Sequence, residues 1–203
     1  MLRAENLQLW RGERHVLRGL GFEVAPGELL HVAGPNGTGK TTLLRVLCGL
    51  AQPEEGDVSW RGVSVRTLGA EYFVDVGYVA HDSGLKGDLT ARENLAFAAG
   101  LRCAVTPAQI DSALATLTIR DCGDLPVRAL SAGQRRRVAL ARLLLSQATI
   151  WILDEPLTNL DTAGSSLVLG LLAQHVQSGG LALVAAHSEL ALAGRDVRRL
   201  ELS

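Results

Sequence analysis

Neither sign of charge is in surplus: 20 lysines and arginines stand against 21 aspartates and glutamates, a formal net charge of −1. No overall basic field advertises nucleic acid, and no acidic tail suggests disorder, so partners must be read locally. Cysteine is scarce. Cys48, Cys103 and Cys122 are odd in number, widely separated and without a Cys-x-x-Cys pair, which disfavours disulfides and zinc and favours reduced thiols in a cytosolic compartment. No segment reaches the roughly 20 uninterrupted apolar residues that span a bilayer. The opening MLRAENLQLWRGER lacks the basic, apolar, small-residue order of a signal peptide, so the expectation is a chain soluble by itself. Repeats, heptad arrays and low-complexity linkers are also missing, which excludes a long coiled-coil arm.

What is present is a chain of 203 residues, 47% hydrophobic, enough for one good core with a small subdomain but not for two large domains. The most informative stretch is AGPNGTGKTTLLRVLCGL, residues 33 to 50. It follows the short apolar run Glu28 to Ala33 and precedes Leu43, Leu44, Val46 and Leu47 at helical spacing, so the order is strand, glycine loop, helix. Gly34, Gly37 and Gly39 permit backbone conformations closed to other residues, letting consecutive N–H groups surround an anion at the helix start. Gly34-x-x-x-x-Gly39-Lys40-Thr41 fits the phosphate-binding P-loop pattern. Lys40 would reach the β and γ phosphates, and the Thr41 hydroxyl would bind Mg²⁺.

Around this loop, Leu2 to Trp10 and His15 to Val24 read as strands, with turn signals at Arg11-Gly12 and Pro26-Gly27. Asp57 to Val65 reads as a strand-rich hairpin around Gly62, with Trp60 in a packing role. From about residue 85 to 130 the character turns helical, marked by the capping-box patterns Thr90-x-x-Glu93 and Thr106-Pro107-x-Gln109. Alternation of strand and helix then resumes: strand Thr149 to Leu153, helix near Thr162 to Gln177, strand Leu181 to Ala186 and a final strand Val197 to Leu202. The expected organisation is a single unit over residues 1–203 with a helical subdomain in its middle third.

The apolar run Ala148 to Leu153 ends in Asp154-Glu155-Pro156, as a buried parallel strand would deliver carboxylates at its C-terminal end. Asp154 would hold the Mg²⁺ shell, and Glu155 would polarise the attacking water as general base. In LSAGQRRRVALARLLL, residues 130 to 145, Ser131 is a natural N-cap with Gln134 three residues on, offering a second set of helix N–H donors to an anion. One nucleotide hardly needs two helix starts, so the second points to phosphate held by another subunit. Arg135-Arg136-Arg137 reads as a solvated helix face, and base-specific nucleic-acid binding is disfavoured.

These segments together resemble the ATP-binding cassette proteins. Gly34, Pro35, Asn36, Gly37, Thr38, Gly39, Lys40, Thr41 and Thr42 look like their Walker A loop. Leu130 to Gln134 looks like their signature motif, Ile150 to Glu155 like Walker B, Asn159-Leu160-Asp161 like the D-loop, and His187 like the switch histidine. The resemblance implies an α/β P-loop NTPase fold with an antiparallel β subdomain and a helical subdomain, ATP and Mg²⁺ as cofactors, and a head-to-tail dimer. In that dimer Ser131 and Gly133 of one copy touch the γ phosphate held by the other, while His187 senses it. Two positions depart from the pattern. His81 stands where the family usually has the glutamine linking Mg²⁺ and water to the membrane partner. The aromatic that stacks on adenine should fall near Arg11, yet the nearest is Trp10, one residue early, an offset that reverses the face of an alternating strand unless the turn absorbs it.

Within the family, LSAGQRRRVALARL and WILDEPLTNLD look most like the haem-exporter branch that serves cytochrome c maturation. That resemblance implies an ATP hydrolase on the cytoplasmic face of the inner membrane, coupled to integral membrane subunits and binding neither nucleic acid nor haem itself. Cassettes for a drug or lipid, or soluble ones acting on nucleic acid, are the competing readings. No Asn-Lys-x-Asp segment of a P-loop GTPase is present.

Overall fold

A computed structural model describes residues 1–192 and 197–203. The chain begins with two antiparallel strands, β1 (Leu2–Arg11) and β2 (Arg14–Val24), turned at Gly12. β3 (Leu29–Ala33) runs fully buried into the glycine loop, and α1 (Lys40–Leu47) follows. β4 (Glu55–Trp60) then returns to pair with β1, and β5 (Val63–Ser64) completes a four-stranded sheet in the order β2-β1-β4-β5. The expected hairpin at Gly62 is present. Its two turn residues, Arg61 and Gly62, both have positive φ (53° and 84°), the backbone that matches strand twist in a two-residue loop.

The next segment carried no helical expectation, yet α2 (Val65–Leu68) and α3 (Ala70–Asp75) lead into β6 (Val76–Val79). These helices are too short for a period to show. Tertiary contacts hold them: the buried Tyr72 hydroxyl donates to the Leu47 carbonyl at 2.6 Å, and Trp60 Nε1 donates to Asp75 Oδ2 at 2.7 Å.

In the helical region, α4 (Ala91–Gly100) and α5 (Pro107–Thr116) both begin with the reciprocal caps read from the sequence, Thr90 with Glu93 and Thr106 with Gln109. Each cap satisfies two backbone donors that a helix start leaves open. The long α6 (Ala132–Ser146) runs from the signature segment to β7 (Ile150–Asp154), and α7 (Thr162–Gln177) leads to β8 (Leu181–Ala185). The last strand, β9 (Arg198–Glu201), lies beside β3. The second sheet is parallel throughout, in the order β6-β7-β8-β3-β9.

Both faces of the parallel sheet are covered, which is why its strands are apolar without interruption. Leu30, Val32, Ile150, Ile152, Leu181 and Leu183 face α1 and the antiparallel sheet. Leu29, Trp151, Leu153, Ala182 and Val184 face the other way, toward α4 to α7. The strict alternation follows from the strand repeat of two. Because every strand runs the same way, the segments after β3, β6, β7 and β8 emerge on one edge.

Leu183 is fully buried in the sheet. Leu183→Ala should cost about 2–5 kcal/mol, as large-to-small core changes do, read as a lowered midpoint in urea; a loss under about 1 kcal/mol would contradict this packing.

Candidate functional site

The glycine loop has the backbone its residues allow. Gly34, Gly37 and Gly39 take φ of 139°, 81° and 103°. A Cβ on Gly34 would stand 2.4 Å from the Leu202 carbonyl, and one on Gly39 2.4 Å from Val16 Cγ1, so side chains are excluded by both conformation and space. Thr38 Oγ1 donates to the Pro35 carbonyl at 2.9 Å, tightening the loop. Gly39 caps α1 with no side-chain bond, and the first turn of the helix holds no acid. The helix N–H groups are therefore left to an anion. Buried Lys40 points its Nζ to the carbonyls of Gly34 (2.6 Å) and Pro35 (3.1 Å), so the positive charge at the loop has carbonyl partners and, among the described residues, no carboxylate.

Asp154, buried at the end of β7, accepts a hydrogen bond from Thr41 Oγ1 at 2.7 Å. The next residue leaves the strand: Glu155 has φ 51°, and its N–H donates to the Ala185 carbonyl at 2.8 Å. Glu155 Oε1 is buried without a hydrogen-bond partner among the described residues. His187 Nε2 comes to 3.3 Å from that oxygen, a close approach without hydrogen-bond geometry. His31, inside β3, bonds through Nε2 to the Ala186 carbonyl at 3.0 Å, steadying the chain just before His187.

These groups share one cleft of about 510 Å³. Asn36, Gly37, Gly39, Lys40, Thr41 and Thr42 line it together with His81, Asp154, Glu155 and His187, and Arg11, Arg14 and Val16 complete it from the β1–β2 hairpin. The size and the mixture of cations, backbone donors and carboxylates suit a small polyanion.

Trp10 does not line the cleft. It stacks on His15, its partner across the ladder, at a centroid distance of 3.8 Å. Arg11, Arg14 and Val16 take the cleft side, and alternation sends Trp10 and His15 to the other. Ser131 and Gly133 also lie outside the cleft. Ser131 caps α6 with Gln134 in a reciprocal box, and a Cβ on Gly133 would meet the Asn159 carbonyl at 2.7 Å. The arginine triple is not a solvated face. Arg136 is 5% exposed and bonds to five backbone carbonyls. A sequence signal for this existed, since Arg136 shares the i, i+3, i+4, i+7 row of Ala139, Leu140 and Leu143, all buried. Arg11 and Arg14 were missed as cleft residues, and they make no ion pair among the described residues.

Residues 6–158, which carry the glycine loop, the start of α6 and both carboxylates, match the ABC transporter family. The chain belongs to that family, whose cassette subunits bind and hydrolyse ATP. The relatives it resembles include the cytochrome c biogenesis ATP-binding export protein CcmA of Nitrosomonas europaea, 46% identical over 100% of this chain and 96% of that protein. The CcmA of Methylococcus capsulatus is 48% identical over 98% and 97%. Among solved structures, the dimeric post-hydrolysis state of the ATP-binding cassette MJ0796 bound to ADP and Pi superposes with a TM-score of 0.84, at 25% identity, over 93% of this chain and 88% of that one.

Asp161 follows the site and caps α7. The Gly164 N–H, and then the charge of Arg137, hold its carboxyl below the usual carboxylate range. A depressed native pKa adds stability above the unfolded-state value and loses it as pH falls through the native value. Wild type should therefore melt above Asp161→Asn near neutral pH, and the gap should close below about pH 4; an unchanged gap in acid would refute the charged cap.

Proposed function

We propose that the chain is the ATP-hydrolysing subunit of an exporter serving c-type cytochrome biogenesis. It would work as a pair of copies at the cytoplasmic face of the inner membrane, against integral membrane subunits. The observation that carries the hydrolytic part is the buried Glu155 Oε1, which among the described residues has His187 close by but no hydrogen-bond partner, beside the Thr41–Asp154 pair. Lys40 and the α1 N–H groups would hold the phosphates. Thr41 and Asp154 offer two hard oxygens already in contact, which fits Mg²⁺, an ion bound through one or two protein oxygens with phosphates completing its shell. When bound, Mg²⁺ supplies neutralisation of phosphate charge. Glu155, with a free acceptor lone pair, orients water and takes its proton, and His187 stands where it can orient Glu155 or the phosphate. His81 lines the same cleft, where its ring nitrogens can hydrogen-bond to water or phosphate; imidazole is a poor ligand for a hard cation.

Dimeric cassettes support the pairing of copies. In such a pair the capped start of α6, with Ser131 and Gly133, meets the phosphate of the opposite copy. A membrane partner is supported by an apolar groove of about 620 Å³ between the end of α1, α3 and the end of α4. Its rim carries Val74 (70% exposed), Leu101 (74%), Leu50 and Phe73. No helix among the described residues is long and apolar enough to cross a membrane. The near full-length similarity to CcmA proteins supports the pathway. The cargo would be haem, or the haem-loaded state of a maturation chaperone, handled by the membrane subunits. His15 stacks on Trp10, His31 bonds to Ala186, and His175 stacks on Trp151 and bonds to Thr149 and Leu181. None of these is poised as an axial ligand.

Glu155→Gln should keep ATP binding and lose about 10²- to 10⁴-fold in turnover, measured by steady-state phosphate release; equal rates would remove Glu155 from its role. Light scattering of Glu155→Gln with ATP should show a dimer, and adding Gly133→Asp, which places an anion at the α6 start, should prevent it.

Deleting the gene should abolish holocytochrome c and spare b-type cytochromes, with Glu155→Gln failing to restore it. The pair Val74→Asp and Leu101→Asp should keep ATPase activity in solution but lose co-purification with the membrane subunits. Normal c-type haem staining in the deletion strain would point to another cargo.

A further inference from the structure

We infer that Arg136 is a positioning residue for hydrolysis: its guanidinium clamps the backbone that presents Glu155 and ties it both to the His81 segment and to the signature helix. The inference rests on the role proposed for Glu155 and deepens it.

Arg136 sits in the second turn of α6, behind the cleft. Its Nη1 donates to the carbonyls of Ala80 (2.7 Å) and His81 (3.4 Å), its Nη2 to those of Asp154 (2.5 Å) and Glu155 (2.7 Å), and its Nε to that of Pro156 (3.3 Å). Every hydrogen-bonding partner is a backbone carbonyl. A buried cation is ordinarily matched by a carboxylate, and the neighbouring arginines behave in that ordinary way or as local caps. Arg137 pairs with Asp161, and Arg135 reaches back to the Leu130 carbonyl. Arg136 instead spends its planar fork on main chain from two segments that both end at the cleft. Burial lowers its pKa, while the charges of Asp154 and Glu155 oppose that shift.

The reason to clamp main chain there is the conformation of Glu155. A non-glycine residue at φ 51° is strained and persists only where its surroundings over-determine it. The Glu155 N–H is held by the Ala185 carbonyl on one side, and its own carbonyl accepts from Arg136 at 2.7 Å and, more weakly, from the Thr158 N–H at 3.2 Å on the other. Those bonds fix both polar groups of the residue and so aim its carboxylate, the shortest of those to the carbonyl coming from Arg136. The same guanidinium holds Ala80 and His81, so a displacement of α6 relative to the parallel sheet reaches both cleft residues through one rigid group. Lysine cannot reproduce this, because its donors radiate from one atom whereas the guanidinium spans separated acceptors.

The test compares Arg136→Met, Arg136→Lys and Arg136→Gln in the full chain, each also combined with Glu155→Gln. A misplacement of about 1 Å at a reacting group can cost about 10²-fold. Arg136→Met should therefore lower kcat by about 10- to 100-fold while the Kd for ATP, read by a fluorescent analogue, stays within about threefold; Lys and Gln should fall between. In the Glu155→Gln background Arg136→Met should change the residual turnover by less than about twofold, because the residue through which it acts is already disabled. Should the Met protein not fold, the Lys and Gln proteins carry the same comparison.

Wild-type kcat in the folded variants would overturn the inference. So would an equal loss in both backgrounds, or a fall in ATP affinity that parallels the fall in kcat, since either marks general packing. If Glu155→Gln alone retains wild-type turnover, the Glu155 reading itself fails and the inference falls with it. If Glu155→Gln is inactive and the Arg136 variants are fully active, Arg136 alone is misassigned.

Discussion

Ala185 lies between two partners in the parallel sheet, Asp154 of β7 on one side and Val32 of β3 on the other, and that level pairing sets the distances on which the cleft depends. The glycine loop leaves β3 one residue beyond this row, and the acids leave β7 within it. Thr41, two residues into the chain after Gly39, can therefore reach Asp154 across 113 positions of sequence. Slipping β7 by one residue would turn Asp154 to the opposite face and separate the hydroxyl from the carboxylate.

Charge at the cleft is managed with backbone more than with counter-ions. Lys40 rests on carbonyls of its own loop, and Arg136 rests on carbonyls of the strand ends. Arg11 and Arg14 reach the cleft from the hairpin with no acidic partner among the described residues. An anionic ligand in the cleft would give Lys40, Arg11 and Arg14 their counter-charge, which is the electrostatic condition for tight phosphate binding. Other cations do pair with acids, as Arg3 with Glu23 and Arg137 with Asp161.

What could be read from the sequence was what depends on neighbours along the chain. The glycine loop, the caps at Thr90, Thr106 and Ser131, and the acids after an apolar strand all obey spacing rules within a few residues, and the structure shows each one. α2 and α3 went unread because four and six residues cannot display a helical period. Trp10 lies one residue from the cleft-lining Arg11, and in a strand one residue is the difference between two faces.

The residue pattern alone determined the glycine loop, the helix caps and the pair of carboxylates after an apolar strand, since each follows from local backbone geometry, and the order of these motifs carried the resemblance that implied the fold. Only the tertiary structure decided which groups meet across the sheet. It put His187 beside Glu155, brought Arg11 and Arg14 to the cleft, and set the middle member of the arginine triple beneath the strand ends. Burial of a charge depends on what packs over it, and the covering segments here lie tens of residues away in sequence, where no local spacing can announce them.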